Sequence, residues 1–315
     1  MMKKVVFFAL FLALTASLKA QESETTCNFL RLPMSAHVSS LGGDNISIPD
    51  DDASLLFHNP ALISNVTDKS LALSYMNYME GVNVGGATFV KAWGERATWG
   101  VQAMYIDYGE MKQTTADNVQ IGEVSAKEVM VGATLSYLLT DRIAGGVSTK
   151  LISSHIAGYS ALAVGVDLGL NYYDDETLLS VAAVARNLGG QVKAFEDEFE
   201  KLPFDLQLGV SKQLVGAPLR FSATMTRLNS WDDRFINHLV VGADLLLSQQ
   251  IFLAAGYNFR KADEMKISDG EGESSHGAAL SLGAGLQLER FKLQVAYANY
   301  HVSTASLLFN VSYCW

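Results

Sequence analysis

Beyond residue 20 the chain has no run of about 18 uninterrupted apolar residues, the length a helix needs to cross a bilayer. Helical membrane spans are therefore excluded. Cysteine is nearly absent: Cys27 and Cys314 are the only two, too few to build a disulfide scaffold. Proline is scarce, 5 residues against 26 glycines, and no helical heptads appear although 49% of residues are hydrophobic. Such a composition suits many strands with small residues on one face. There is no zinc-ligand spacing, phosphate-binding glycine loop or dinucleotide fingerprint, so no metal or cofactor is expected. Ser153-Ser154-His155 sets a serine beside a histidine, but sequence neighbours are not a triad and no third partner is evident, so no enzyme is expected. Basic residues are also few. Removing Lys3, Lys4 and Lys19 from 23 leaves 20 against 33 acidic residues, a net charge near −13. That balance argues against nucleic acid or an anionic membrane surface as a partner.

What the chain does have begins with an export signal. Lys3 and Lys4 precede an apolar run from Val5 to Leu14, and residues 1–20 read as a signal peptide cleaved near Ala20. The last nine residues alternate strictly. Leu307, Phe309, Val311, Tyr313 and Trp315 are apolar or aromatic, while Asn310, Ser312 and Cys314 between them are small or polar. Period two means a strand with one apolar face. Ending a chain on an aromatic in such a strand suits an outer-membrane barrel, whose last strand pairs with the first. Phe309, Val311, Tyr313 and Trp315 are accordingly read as the insertion strand.

From Ser70 onward fourteen alternating segments can be counted: 70–79, 83–93, 97–108, 127–139, 143–152, 160–173, 178–187, 204–212, 218–228, 238–248, 250–260, 277–288, 290–299 and 304–315. In the sixth, Leu162, Val164, Val166, Leu168, Leu170 and Tyr172 share one face, with Ala163, Gly165, Asp167, Gly169 and Asn171 on the other. In water that apolar face would need a second sheet; in a bilayer, lipid covers it. Connectors alternate between tight turns and longer polar stretches at 109–126, 188–203, 229–237 and 261–276, the pattern of short periplasmic turns and longer outer loops. The even count places both termini in the periplasm. All 12 tyrosines fall near segment ends, which predicts two aromatic girdles. The expected fold is an all-β, fourteen-stranded antiparallel transmembrane barrel over residues 70–315.

Residues 21–69 do not alternate. Asp50, Asp51 and Asp52 open one helical start, and Asn59, Pro60 and Ala61 open another, with Asn as N-cap and Pro at the first helical position. Helix capping with solvation accounts for the acidic run, and a calcium site is the competing reading.

An acidic run followed by Asn59-Pro60-Ala61, ahead of a fourteen-stranded pattern, resembles the FadL-like barrels, whose N-terminal segment forms a hatch inside the lumen. Within that superfamily, Phe29-Leu30-Arg31-Leu32-Pro33-Met34-Ser35-Ala36, Leu41-Gly42-Gly43, Ala185-Arg186-Asn187-Leu188-Gly189-Gly190, Lys201-Leu202-Pro203, His238-Leu239-Val240-Val241-Gly242 and Gly256-Tyr257-Asn258 are similar to the PorQ family of the type IX secretion system. The resemblance implies a plugged barrel, not a channel, that anchors surface proteins of an attachment complex in the outer membrane. It implies PorZ as direct partner, with PorU and PorV in the assembly. The bilayer is the expected surrounding, with lipopolysaccharide a further candidate partner. The competing expectation is a FadL-like importer of hydrophobic compounds, which would want apolar outer loops and an apolar channel.

Glycines at inward positions, among them Gly100, Gly146, Gly209, Gly256 and Gly283, would let a hatch backbone approach the wall. Lys150, Asp167, Asp205, Arg220, Asp244 and Lys292 also face inward by alternation. They are expected either to pair with hatch groups such as Arg31 and Asp50 to Asp52, or to stand solvated in an open lumen. Cys27 and Cys314 are both expected near the periplasmic mouth, as a disulfide latch or as two unpaired thiols. The acidic connectors Glu196-Asp197-Glu198-Phe199-Glu200 and Asp269-Gly270-Glu271-Gly272-Glu273 are either a charged face for a partner or solvated loops.

Overall fold

A computed structural model describes residues 25–315 except 80, 115–118, 196–197, 232–233, 266, 269–272, 275–278 and 301–303. The expected signal peptide, Glu196-Asp197 and residues 269–272 of the acidic connectors lie outside the described residues. Fourteen antiparallel strands close into one barrel. They are β1 (Ser70–Met79), β2 (Val82–Trp93), β3 (Ala97–Thr114), β4 (Gln120–Leu138), β5 (Ile143–Ile156), β6 (Tyr159–Asp174), β7 (Leu179–Lys193), β8 (Asp205–Gln213), β9 (Leu219–Met225), β10 (Leu239–Leu246), β11 (Ile251–Asn258), β14 (Leu280–Gln287), β15 (Phe291–Asn299) and β16 (Ala305–Cys314). A separate two-stranded clip, β12 (Ile267–Ser268) with β13 (Glu273–Ser274), sits in the connector after β11. Among the described residues no helix is long and apolar enough to cross a membrane.

Closure is made by the terminal strand. Leu71 pairs with Tyr313, Leu73 with Val311 and Tyr75 with Phe309, so β16 covers the edge of β1 and leaves no open ladder. Phe309 and Val311 point outward, and Trp315 stacks on Tyr313 at 5.6 Å and lies 5.8 Å from Phe89. Leu308, Asn310, Ser312 and Cys314 are buried on the lumen side. The same alternation runs round the wall, with Leu135, Leu168, Leu208, Leu253, Leu282 and Leu293 exposed on the outer face. Lipid is what covers such a band.

Two connectors differ from expectation. The 109–126 stretch is largely strand: β3 and β4 continue pairing beyond a register break after Asp107, with Met111 opposite Val124 and Lys112 opposite Glu123. Both faces are wet there, so polar residues alternate with polar ones and the period-two signal vanishes. β7 likewise extends to Lys193 and carries a bulge, because Val166 pairs with Leu188 but Leu168 pairs with Ala185. The extra residue turns both Arg186 and Asn187 into the lumen, and Asn187 adopts a positive φ of 58° to do so.

The aromatic girdles are also thinner than the sequence suggests. Trp93, Tyr137 and Phe291 are exposed at one rim, and Tyr75, Tyr105, Tyr159 and Tyr297 at the other. Tyr78, Tyr108 and Tyr300 instead turn inward and pack against a buried cluster made of wall and hatch residues.

Candidate functional site: the segment inside the lumen

Residues 25–69 fill the barrel. Short helical pieces do this, and three of the four bring their own side-chain cap, the 3-10 turn Asn28–Arg31 being the exception. Ser35 accepts from the Val38 amide at the start of helix Ala36–Ser40. Asp52 accepts from the Ser54 amide at 2.9 Å ahead of the 3-10 turn Ala53–Phe57. Asn59 accepts from the Ala61 amide at 2.9 Å, with Pro60 first in the 3-10 helix Pro60–Asn65. The free amides of a helix start are thereby satisfied where bulk water is scarce. Met34, Val38, Ile46, Leu55, Leu56 and Leu62 are each at most 0% exposed, so the segment supplies the core of the lumen. Burying one such side chain contributes about 1.5–3 kcal/mol.

Glycines in the wall admit this backbone. A Cβ on Gly256 would fall on the Gly42 amide nitrogen and Leu41, and one on Gly146 would fall on the Pro60–Ala61 peptide.

Charged side chains fasten the hatch at the end bearing the tight turns. Arg220 on β9 donates from Nη1 to Asp50 at 2.5 Å and from Nε to Asp244 on β10 at 2.7 Å. His37 lies between the same carboxylates, Nδ1 at 3.0 Å from Asp50 and Nε2 at 2.7 Å from Asp244, with its ring stacked on Phe252 at 3.9 Å. Burial alone would pull the imidazole pKa down, but the Asp244 and Asp50 carboxylates outweigh it and hold it up at about 9. For Asp50, burial pushes up, yet the Arg220 guanidinium and His37 hold the carboxyl well below the usual range. Lys292 on β15 pairs with Asp51 at 2.7 Å, and Asp51 also accepts from the Thr67 amide at 2.7 Å.

Further contacts continue the grip. Asn310 of the closing strand donates to the Met34 carbonyl at 3.0 Å and accepts from the Ala36 amide. Arg186, turned in by the bulge, donates to the carbonyls of Leu30 at 3.1 Å and Phe57 at 3.2 Å. Lys150 pairs with Asp167 at 2.6 Å and donates to Asn187 at 2.9 Å, which braces the wall rather than the hatch.

The sequence-derived candidates thus separate. Asp50 and Asp51 bridge hatch to wall, whereas Asp52, Asn59, Pro60 and Ala61 shape the hatch itself. Among the described residues Arg31 forms no ion pair with a carboxylate. His37, Asn310 and Arg186 were missed: a lone histidine and an alternating asparagine carry no signal, and Arg186 breaks alternation only through the bulge.

Cys27 and Cys314 are both free and buried, and they lie at opposite ends of the barrel. Cys314 sits by Ser70 at 3.0 Å, beside the tight turns. Cys27 sits by Ser154 at 3.7 Å, near the far end of β5. The latch expectation fails because the hatch threads the lumen lengthwise. Thr26 donates its amide to the Lys201 carbonyl at 3.0 Å, in the long connector after β7. A disulfide needs Cα atoms within about 7 Å. The first described residues therefore lie at the long-connector end, opposite Cys314, and not at one shared mouth with it as the sequence led us to expect.

Ser154 faces the lumen and donates to Glu128 at 2.6 Å, while His155 next to it is exposed on the outer face, so the two do not form a dyad. Among the described residues no group of three or more His, Cys, Asp or Glu side chains is arranged to hold a metal ion.

Fold and lumen together define a closed, fourteen-stranded barrel of the FadL-like fold with an N-terminal segment folded inside. Solved structures of similar architecture include a FadL homologue of Pseudomonas aeruginosa (TM-score 0.56, 12% identity, covering 88% of this chain and 97% of that one). The toluene transporter TodX of Pseudomonas putida is similar at TM-score 0.58 and 14% identity, covering 88% and 96%. The CymD monoaromatic hydrocarbon channel is similar at TM-score 0.57 and 12% identity, covering 88% and 96%. At such identities the likeness is one of fold. No model of a protein family matches the chain, and no curated protein does.

Proposed function

We propose that this chain is a plugged barrel that anchors surface proteins of the type IX secretion machinery in the outer membrane, rather than a diffusion channel. The observation that carries the reading is the occupied lumen. The hatch is apolar at its centre, fitted against wall glycines, and fastened by Arg220, Lys292 and Asn310. A rigid plugged barrel serves as a membrane foundation for proteins docked on its outer loops. The similarity of residues 29–36 and 185–190 to the PorQ family supports the particular machinery, with PorZ as direct partner and PorU and PorV in the assembly. A second reading, import of hydrophobic compounds, draws support from the fold shared with a toluene transporter and a monoaromatic hydrocarbon channel. Against it stand the charged closure of the lumen at one end and polar long connectors at the other, neither of which suits an apolar ligand. Clean deletion of the gene separates the two. Unprocessed cargo accumulating in the periplasm is the expected result. Normal secretion with lost growth on a hydrophobic carbon source would overturn the anchoring role.

A further inference from the structure

A cavity of about 250 Å³ lies at the long-connector end, between the hatch and the strand ends. Five basic side chains line it: Arg31 of the hatch, Arg186 of the bulge, Arg227 just beyond β9, and Arg260 and Lys261 of the helix Phe259–Glu264. Among the described residues, three carboxylates, Asp44, Asp205 and Glu264, share the wall. The described lining residues thus carry an excess of two positive charges, in a chain whose net charge is −10.

Among the described residues, none of these carboxylates forms an ion pair with Arg31 or Arg227. Glu264 takes Arg260 at 3.3 Å. Asp205 accepts from the Gln207 side chain at 2.7 Å and from the Arg227 backbone amide at 2.6 Å, not from a guanidinium. Asp44 accepts from Asn258 at 3.2 Å. The Lys261 ammonium stands 3.6 Å from the centre of the Tyr300 ring. Among the described residues, the guanidinium groups of Arg31 and Arg227 have neither a hydrogen bond nor an ion pair. Burial, followed by the charge of Arg227, draws the Arg31 pKa down to about 10. Burial, followed by Arg260, lowers that of Arg227. Unpaired like charges in a partly desolvated space are a cost that a bound anion removes.

We infer that this cavity binds the phosphate of a phosphomonoester, carried either by a small soluble molecule or by the headgroup of a lipid. A phosphomonoester brings close to two negative charges at neutral pH, matching the excess, and its oxygens fit the planar donor forks of two arginines. A carboxylate would leave one positive charge unmet, and an uncharged or purely apolar ligand would leave both. The cavity also exceeds the needs of a bare phosphate, leaving space for the group that carries it.

The test uses the full chain in detergent, in phosphate-free buffer near neutral pH. Glucose 6-phosphate, inorganic phosphate and glucose are titrated by calorimetry and by thermal shift. Saturable binding of glucose 6-phosphate is expected, with phosphate competing and glucose silent. Arg31→Gln and Arg227→Gln should each weaken that binding by ten-fold or more. Without ligand both variants should melt no lower than the parent, since each removes a repelling charge; that readout separates lost recognition from lost fold. Native mass spectrometry of gently extracted protein addresses the source. A phosphorylated lipid retained by the parent and lost from Arg31→Gln assigns the site to a headgroup. Binding of the soluble ester with no retained lipid assigns it to a small molecule. Neither ligand bound, or binding undiminished in both variants, would overturn the inference.

Discussion

The hatch meets the barrel wall through charge at both ends of the lumen, but with opposite bookkeeping. At the tight-turn end Asp50 and Asp51 each face a wall cation, and Arg220 and His37 share Asp50 and Asp244. At the long-connector end Arg31 and Arg227 face each other's charge, and among the described residues no carboxylate forms an ion pair with either. In a low-dielectric interior a matched set of charges fixes geometry, whereas an unmatched set attracts a counter-charge from outside. The first end is therefore read as a fastening and the second as a receptor. One hatch serves both because it runs the full length of the lumen.

Removing an arginine from each end should expose the contrast most strongly. Arg220→Ala leaves the half-buried Asp50 and the buried Asp244 with His37 alone between them, at a cost of up to about 3 kcal/mol. Thermal unfolding in detergent should register that as a large drop in Tm. Arg31→Ala in the same assay should leave Tm unchanged or slightly raised. Equal losses from the two would break the distinction between fastening and receptor.

Wall glycines give a smaller effect. Gly256→Ala drives a Cβ into the Gly42 peptide, whereas Gly85→Ala meets nothing within 4 Å. Overpacking of this kind costs about 1–3 kcal/mol. Limited proteolysis should cut the hatch of Gly256→Ala faster while leaving the barrel whole, and Gly85→Ala should match the parent. Equal hatch cleavage in the two would mean that the close approach at Gly256 does not position the hatch.

The smallest expected change is with pH. His37, of ordinary pKa 6.5 and held up at about 9, contributes stability that is full below 6.5 and lost as pH rises through 9. Asp50, ordinarily 3.8 and held lower, contributes stability present above 3.8 and lost as pH falls. The fastening should therefore be strongest between about pH 4 and 6.5 and loosen toward pH 9. A melting series across that range checks this, and His37→Asn should flatten the alkaline slope. A parent protein that gains stability between pH 7 and 9 would contradict the assignment of His37.

Much of the barrel was legible in the sequence because lipid on one side and hatch on the other impose period two. The segment read as 70–79 is β1 (Ser70–Met79), and 304–315 contains β16 (Ala305–Cys314). The signal failed where that asymmetry ends, as in the polar extension of β3 and β4 around Lys112 and Glu123. Within the hatch, the caps at Asp52 and Asn59 were readable because capping is local. The threading direction was not, since it is set by long-range contacts such as Asn310 with Met34 and Arg186 with Leu30. That missing direction put Cys27 at the wrong mouth, and it also concealed the cationic cavity, whose arginines come from four distant parts of the chain.

Ion conductance in planar bilayers, for the parent chain and for a variant lacking residues 28–68, tests the plugged lumen most directly. Heat-modifiable gel mobility confirms that each barrel is folded. The parent should be nearly silent, and the deletion should open steady conductance through a water-filled lumen. A parent that conducts as well as the deletion would contradict the account.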